Sequence, residues 1–255
     1  MLALLQLLPS PSLASSSDAA PVAEAKRDPG ASPADGQPAP VARAMRAGVL
    51  IESVRPGGRA AFASGVVLRL RHGRALIATA QHVVNPGFPR VEQPPDVRTP
   101  TAVSVTTIDG TRATARVEWL APHGIDLAIV FAPVAGKQVR EAPWDASARP
   151  AAGAALFAIG NPGDGRWVRS DGTLARIRDV EQDGFAFELL QTTVPVLPGD
   201  SGGGLYDTGG RLIGVTSMHA LTSDPRSPGD VAFAQALPTL LGLAPRRLGL
   251  PERNP

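Results

Sequence analysis

From Gly48 onward the apolar residues of this chain come in short runs rich in Val, Ile and Leu, and most runs close at Gly, Asp or Pro. Runs of that length between turn formers read as β-strands. The first are residues 48–54, 64–70 and 75–79, the last two joined by a His72-Gly73 turn. Residues 102–108 alternate and end in Asp109-Gly110, a strong hairpin signal. Residues 113–120 alternate again, and 125–131 form a nearly continuous apolar run. Further strands are expected at 155–159, 170–177, 185–192, 204–206 and 211–217, whereas 232–243 looks helical. There is no βαβ alternation, so the pattern points to an all-β barrel or sandwich.

Composition narrows the chemistry. With no cysteine in 255 residues, a disulfide framework, a thiolate metal site and a cysteine nucleophile are excluded. A net charge of +2 argues against nucleic acid as a partner. The isoelectric point of 9.6 reflects basic residues that are nearly all Arg, which stays protonated to high pH. Aromatics make up 4 %, so aliphatic side chains must fill the core.

The two ends read differently from the body. Leu2 to Leu8 is a short apolar run, and Ser12 and Ala14 are small residues placed for cleavage after Ala14, so residues 1–14 resemble a secretory signal. The run is too short to span a bilayer. Residues 15–45, rich in Ala and Pro and poor in large apolar groups, read as a disordered linker. The folded domain is expected over 46–245, with barrels near 46–135 and 150–235, and a tail over 246–255. This predicts a location outside the cytoplasm and no stable membrane insertion once the signal is removed.

Three patches carry the chemistry: Thr79-Ala80-Gln81-His82, Gly124-Ile125-Asp126-Leu127 and Pro198-Gly199-Asp200-Ser201-Gly202-Gly203-Gly204. Each alone has a plain structural reading, as a surface histidine, a turn-forming aspartate and a tight loop. Together they supply a base, a carboxylate and a hydroxyl. A seryl hydroxyl is a poor nucleophile until a base takes its proton, imidazole titrates near neutral pH, and a carboxylate fixes the imidazole's tautomer. The glycines suit a turn that aims backbone N–H groups at one point, and Gly199 and Ser201 are the expected oxyanion donors. Gly-x-Ser-x-Gly also fits the nucleophile elbow of α/β-hydrolases. That fold needs an acid and then a histidine after the serine, and only His219 follows Ser201.

In these residues the sequence resembles the chymotrypsin-fold (trypsin-like) serine peptidases, and the bacterial HtrA/Deg type more than the digestive type. Ser64-Gly65-Val66-Val67 with Ile77-Ala78-Thr79, residues 103–117 with Asp126-Leu127-Ala128-Ile129, Ala158-Ile159-Gly160-Asn161-Pro162, and Gln191-Thr192 ahead of Ser201 all resemble that family's text. The resemblance implies two six-stranded antiparallel β barrels with a C-terminal helix. It implies a catalytic set of His82, Asp126 and Ser201 in the cleft between the barrels, polypeptide substrates, and no cofactor or metal. A catalytically latent protease-fold module that binds unfolded polypeptide, and an esterase with the same triad, remain alternatives. With the sequence ending at Pro255, the PDZ domain usual in the HtrA type is not expected here.

The resemblance also implies a substrate pocket near Pro195, walled by Thr193, Val196, Ser217, Met218 and His219. None of these is acidic, so an apolar or small side chain is expected beside the scissile bond. Asp200 stands where the HtrA type usually has Asn. A buried carboxylate without a cation is costly, so Arg166 or Arg169 is expected to pair with it. His72 and His123 receive no role.

Overall fold

The computed structural model describes residues 32–55, 58–85, 87–88, 102–145, 147–162, 166–222 and 229–250, with only the backbone described for 218–222 and 229–231. Residues 1–31 lie outside this set, and with them the expected signal and most of the expected linker. Among the described residues the β-branched runs form twelve strands in two sets of six. The first set is β1 (Gly48–Val54), β2 (Ala60–Arg71), β3 (Arg74–Thr79), β4 (Ala102–Thr107), β5 (Arg112–Leu120) and β6 (Ala128–Pro133). They close into a barrel in the order β1-β2-β3-β6-β5-β4. The second set is β7 (Ala155–Gly160), β8 (Val168–Gln182), β9 (Phe185–Thr192), β10 (Gly204–Asp207), β11 (Leu212–Thr222) and β12 (Gly229–Ala236). It closes in the order β10-β11-β12-β9-β8-β7. All pairings between these strands are antiparallel. Closure leaves no barrel edge open to unwanted strand addition.

Strand closure requires tight bends, and bulges supply them. They interrupt β2 between Val67 and Arg69, β5 between Val117 and Trp119, and β11 between Thr216 and Met218. Each barrel has its own aliphatic filling. The first contains Ile51, Val67, Ile77, Val105 and Val130, and the second Leu156, Leu174, Leu190, Leu205 and Ile213. A third cluster takes side chains from both barrels, with Val66 and Ile129 meeting Ile159, Tyr206 and Val215. It joins the barrels and so fixes how their loops face one another.

Two helical elements depart from the expected pattern. Residues 39–45, expected as linker, belong to helix α1 (Ala39–Ala47). Proline in its first turn is pre-set for helix, and Ala44 and Ala47, both 0 % exposed, allow close packing of the chain. Composition concealed this because burial falls on Val41, Met45 and small alanines that read as polar-linker text. The expected helix over 232–243 is instead the end of β12 followed by helix α3 (Leu237–Leu243). The switch falls at Ala236-Leu237-Pro238, where Pro sits in the helix's first turn. In the expected tail, Leu248 and Leu250 are buried, and Arg69 Nη1 donates to the carbonyls of Leu248 and Gly249.

Candidate active site

His82 leaves the first barrel just after β3. Thr79 ends the strand, Ala80 caps the one-turn helix α2 (Gln81–Val84), and that helix swings the imidazole out. Gln81, Val83 and Val84 are buried beside it and anchor the turn. The His82 side chain itself remains about a third exposed, at 34 %. Asp126 lies in the loop between β5 and β6, pinned by Ala121 N–H to Leu127 O and Ile125 N–H to Pro122 O. This loop is where the expected strand over 125–131 begins late, because the 125–127 backbone is used in turn bonds instead.

The Asp126 carboxylate is 2 % exposed and takes three protein donors. Backbone N–H of His82 donates to Oδ1 at 2.9 Å, and His82 Nδ1 meets Oδ2 at 2.8 Å. Ser217 Oγ donates to the same Oδ2 at 2.5 Å. A carboxylate oxygen facing Nδ1 favours the tautomer with its hydrogen on Nδ1, which leaves the Nε2 lone pair open. Ser217 sits at the bulge of β11, unpaired with β12. That break lets its side chain turn toward Asp126 of the first barrel.

Ser201 stands on the turn before β10. Its hydroxyl donates to Ser217 O at 3.3 Å and makes no hydrogen bond to His82 among the described residues. Ser217 therefore touches Asp126 with its side chain and Ser201 with its carbonyl. The turn is tightly bonded: Asp200 N–H to Leu197 O, Gly203 N–H to Asp200 O, Gly202 N–H to Thr216 O and Thr216 N–H to Gly203 O. Thr216 Oγ1 donates to Asp200 O at 2.6 Å. Against this background, the N–H groups of Gly199 and Ser201 have no acceptor among the described residues. Gly199 has φ 102°, a conformation open to glycine and strained for other residues. Gly202 is required for space: a Cβ there would collide with Ser64 O and Thr79 Oγ1.

Asp200 is buried, and its partner differs from the expected one. Oδ2 accepts the Leu197 N–H at 2.9 Å, while Arg169 is engaged by Asp171 at 2.6 Å and Arg166 is exposed. Burial pushes the Asp200 carboxyl above the usual aspartate value, the Leu197 amide only partly opposing it. The local geometry explains this. Asp200 Oδ1 fills the space beside Gly160, where a side chain would strike it.

The expected pocket residues differ in exposure. Thr193 and Pro195 are exposed and Val196 is buried. Thr193 Oγ1 accepts from Thr173 N–H at 2.9 Å, which ties this segment to β8. Ser217 does not line a pocket with its side chain, because that side chain is committed to Asp126. Met218 and His219 lie outside the residues whose side chains are described; their backbones pair with Phe233 and Ala232. One residue that the sequence pattern did not single out is Leu197, 54 % exposed and two positions before Gly199. A large apolar residue in a loop of Pro and Gly is the signal that marks it. Among the described residues, no group of three or more His, Cys, Asp or Glu is arranged to hold a metal ion. No described helix is long and apolar enough to cross a membrane.

Two closed six-stranded barrels with this junction define a chymotrypsin-like fold. The model of the trypsin-like peptidase domain matches residues 63–215, and the chain belongs to that family. A curated relative, the serine protease Do-like HtrB of Bacillus subtilis, is 27 % identical over 174 residues, covering 65 % of this chain and 34 % of the relative. The match thus spans about a third of that protein's length. Among solved structures, an HtrA-type protease, AlgW, determined with a tripeptide, superposes with TM-score 0.61 at 22 % identity, over 80 % of this chain and 60 % of the other. An inactive form of the Rv3671c protease gives TM-score 0.59 at 19 % identity, over 80 % and 90 %. At these identities the structural likeness establishes the fold alone.

Proposed function

We propose that this protein is a serine endopeptidase that cleaves polypeptides through an acyl-enzyme on Ser201. The observation that carries the reading is the Asp126 carboxylate, which bonds both the backbone N–H and Nδ1 of His82 and so leaves Nε2 as a base. In the reaction Ser201 Oγ leaves Ser217 O and turns toward Nε2. The hydroxyl proton passes to Nε2 as Oγ bonds to the peptide carbonyl carbon. The carbonyl oxygen gains the negative charge and is met by the Gly199 and Ser201 N–H groups, each such donor contributing about 3 kcal/mol to the transition state. Nε2 then protonates the leaving amine as the C–N bond breaks. Water, deprotonated by the same nitrogen, hydrolyses the ester and restores Ser201. No cofactor takes part.

The segment around Val196 and exposed Leu197 suits an apolar or small side chain next to the scissile bond. The apolar run Leu2–Leu8, with a relative named Do-like, supports work outside the cytoplasm on unfolded polypeptide. The second reading, a latent module that holds polypeptide without turnover, draws on the Ser201 hydroxyl bonding to Ser217 O rather than to His82. Catalytic hydrogen bonds often form only with substrate present, which favours the enzyme. A fluorophosphonate probe separates the two. Labelling of wild type and not of Ser201→Ala supports the peptidase, and no labelling of folded wild type supports the latent module.

A further inference from the structure

Ser64 belongs to the first barrel, in β2, yet both its backbone N–H and its hydroxyl donate to the nucleophile turn of the second. It is 1 % exposed. Its backbone N–H donates to Ser201 O at 2.9 Å, and its hydroxyl donates to Gly199 O at 2.7 Å. The same hydroxyl accepts from Asn161 N–H at 2.8 Å. Its carbonyl accepts from Thr79 Oγ1 at 2.8 Å, three positions before His82. A seryl hydroxyl has one proton. With Asn161 N–H donating into it, that proton is committed to Gly199 O.

Gly199 has no Cβ to restrict it, and glycine samples several backbone wells of similar energy. Among the described residues its carbonyl has one partner, Ser64, and its N–H has none. The Leu197–Asp200 bonds close the turn around Gly199, and the Ser64 hydroxyl is what holds its carbonyl. Ser201, the other donor, is held through its own carbonyl by the same Ser64. We propose that Ser64 is a positioning residue that sets the oxyanion-binding turn, its hydroxyl locking Gly199 and its N–H locking Ser201 so that both amides serve one developing charge. This rests on the peptidase reading above. Ser64 touches no substrate; it acts through the turn.

The test compares the full chain with Ser64→Ala, using a peptide amide substrate, a peptide boronate that forms a tetrahedral adduct on Ser201, and the matching product peptide. Loss of one oxyanion donor lowers kcat by about a hundredfold or more, so a loosened donor should lower it roughly 10- to 100-fold. KM and product affinity stay within about twofold while boronate affinity falls with kcat. Ser64→Gly also lacks the hydroxyl and carries the same comparison should the alanine variant fail to fold. Ser64→Thr keeps the hydroxyl and should retain most of the boronate affinity. A variant that only lowers Tm, with the ratio of boronate to product affinity unchanged, overturns the inference. Wild-type turnover with an unaffected Ser64→Ala overturns it alone, whereas an inert wild type overturns the peptidase reading as well.

Discussion

Ser217 Oγ donates to Asp126 Oδ2 at 2.5 Å, so a residue of the second barrel completes the carboxylate that orients a histidine of the first. A buried carboxylate loses hydration that only hydrogen bonds replace, and here one of its three donors crosses the barrel junction. The bulge at Thr216/Met218 makes the crossing available by freeing Ser217 from the β11–β12 ladder.

Replacing Ser217 by Ala should therefore weaken both folding and turnover. Hydrogen bonds to charged groups contribute about 1.5–3 kcal/mol, and we expect a loss of about 2 kcal/mol in unfolding free energy. Each 1.4 kcal/mol of lost orientation is tenfold in rate, so kcat should fall roughly tenfold. Denaturant unfolding and peptide hydrolysis measure the two. Unchanged stability would remove the bond from the account.

Gly202→Ala should be poorly tolerated. The residue has φ 86°, and a Cβ would collide with Ser64 O and Thr79 Oγ1. Strained backbone alone costs about 1–3 kcal/mol, so Tm should drop on the order of 5 °C or more. A Tm equal to wild type would mean the turn is looser than described.

Asp200 predicts a pH-dependent stability. Burial raises its carboxyl above the ordinary 3.8, so the folded state holds the proton more tightly than the unfolded state does. The resulting stability is present below the unfolded pKa and is lost as pH rises through the folded one. Asp200→Asn removes that loss. Its Tm should exceed wild type at pH 7, and the difference should vanish below about pH 4. Calorimetry across that range checks the sign, and a constant difference would contradict it.

The β8–β9 turn should couple to the Asp126 loop. His123, at φ 57°, stacks on Phe185 with centroids 5.0 Å apart, and Gln182 Nε2 donates to His123 O at 2.6 Å. A double-mutant cycle of His123→Ala and Phe185→Ala should give a coupling energy of about 0.5–1.5 kcal/mol. Additive effects would show that the stack carries no energy.

Strand text was largely legible because period-two alternation and turn residues are local signals. β1 and β9 were expected at the bounds they take, 48–54 and 185–192. α1 was not legible, since its buried face combines Val41 and Met45 with three alanines that blend into the Ala- and Pro-rich text around them. The run 232–243 misled because apolar residues on every side suit a buried strand and a helix equally. In the site, His82, Asp126 and Ser201 stood out through residue type, with glycines near Asp126 and Ser201. The roles of Ser64 and Ser217 as hydrogen-bond partners did not, because they arise only when β2 and β11 are brought across the barrel junction. The expectation of an arginine beside Asp200 missed for a related reason: a backbone amide three residues earlier in the chain, Leu197, was the nearer donor.

The central claim is an acyl-enzyme on Ser201, and trapping it is the most direct measurement. The full chain is mixed with an activated peptide ester, quenched in acid, weighed intact and mapped by fragmentation. The account predicts one acyl group per chain, on Ser201, decaying at the steady-state turnover rate and absent in Ser201→Ala and His82→Ala. An adduct on another residue, or folded wild type that never acylates while the ester is hydrolysed, would contradict it.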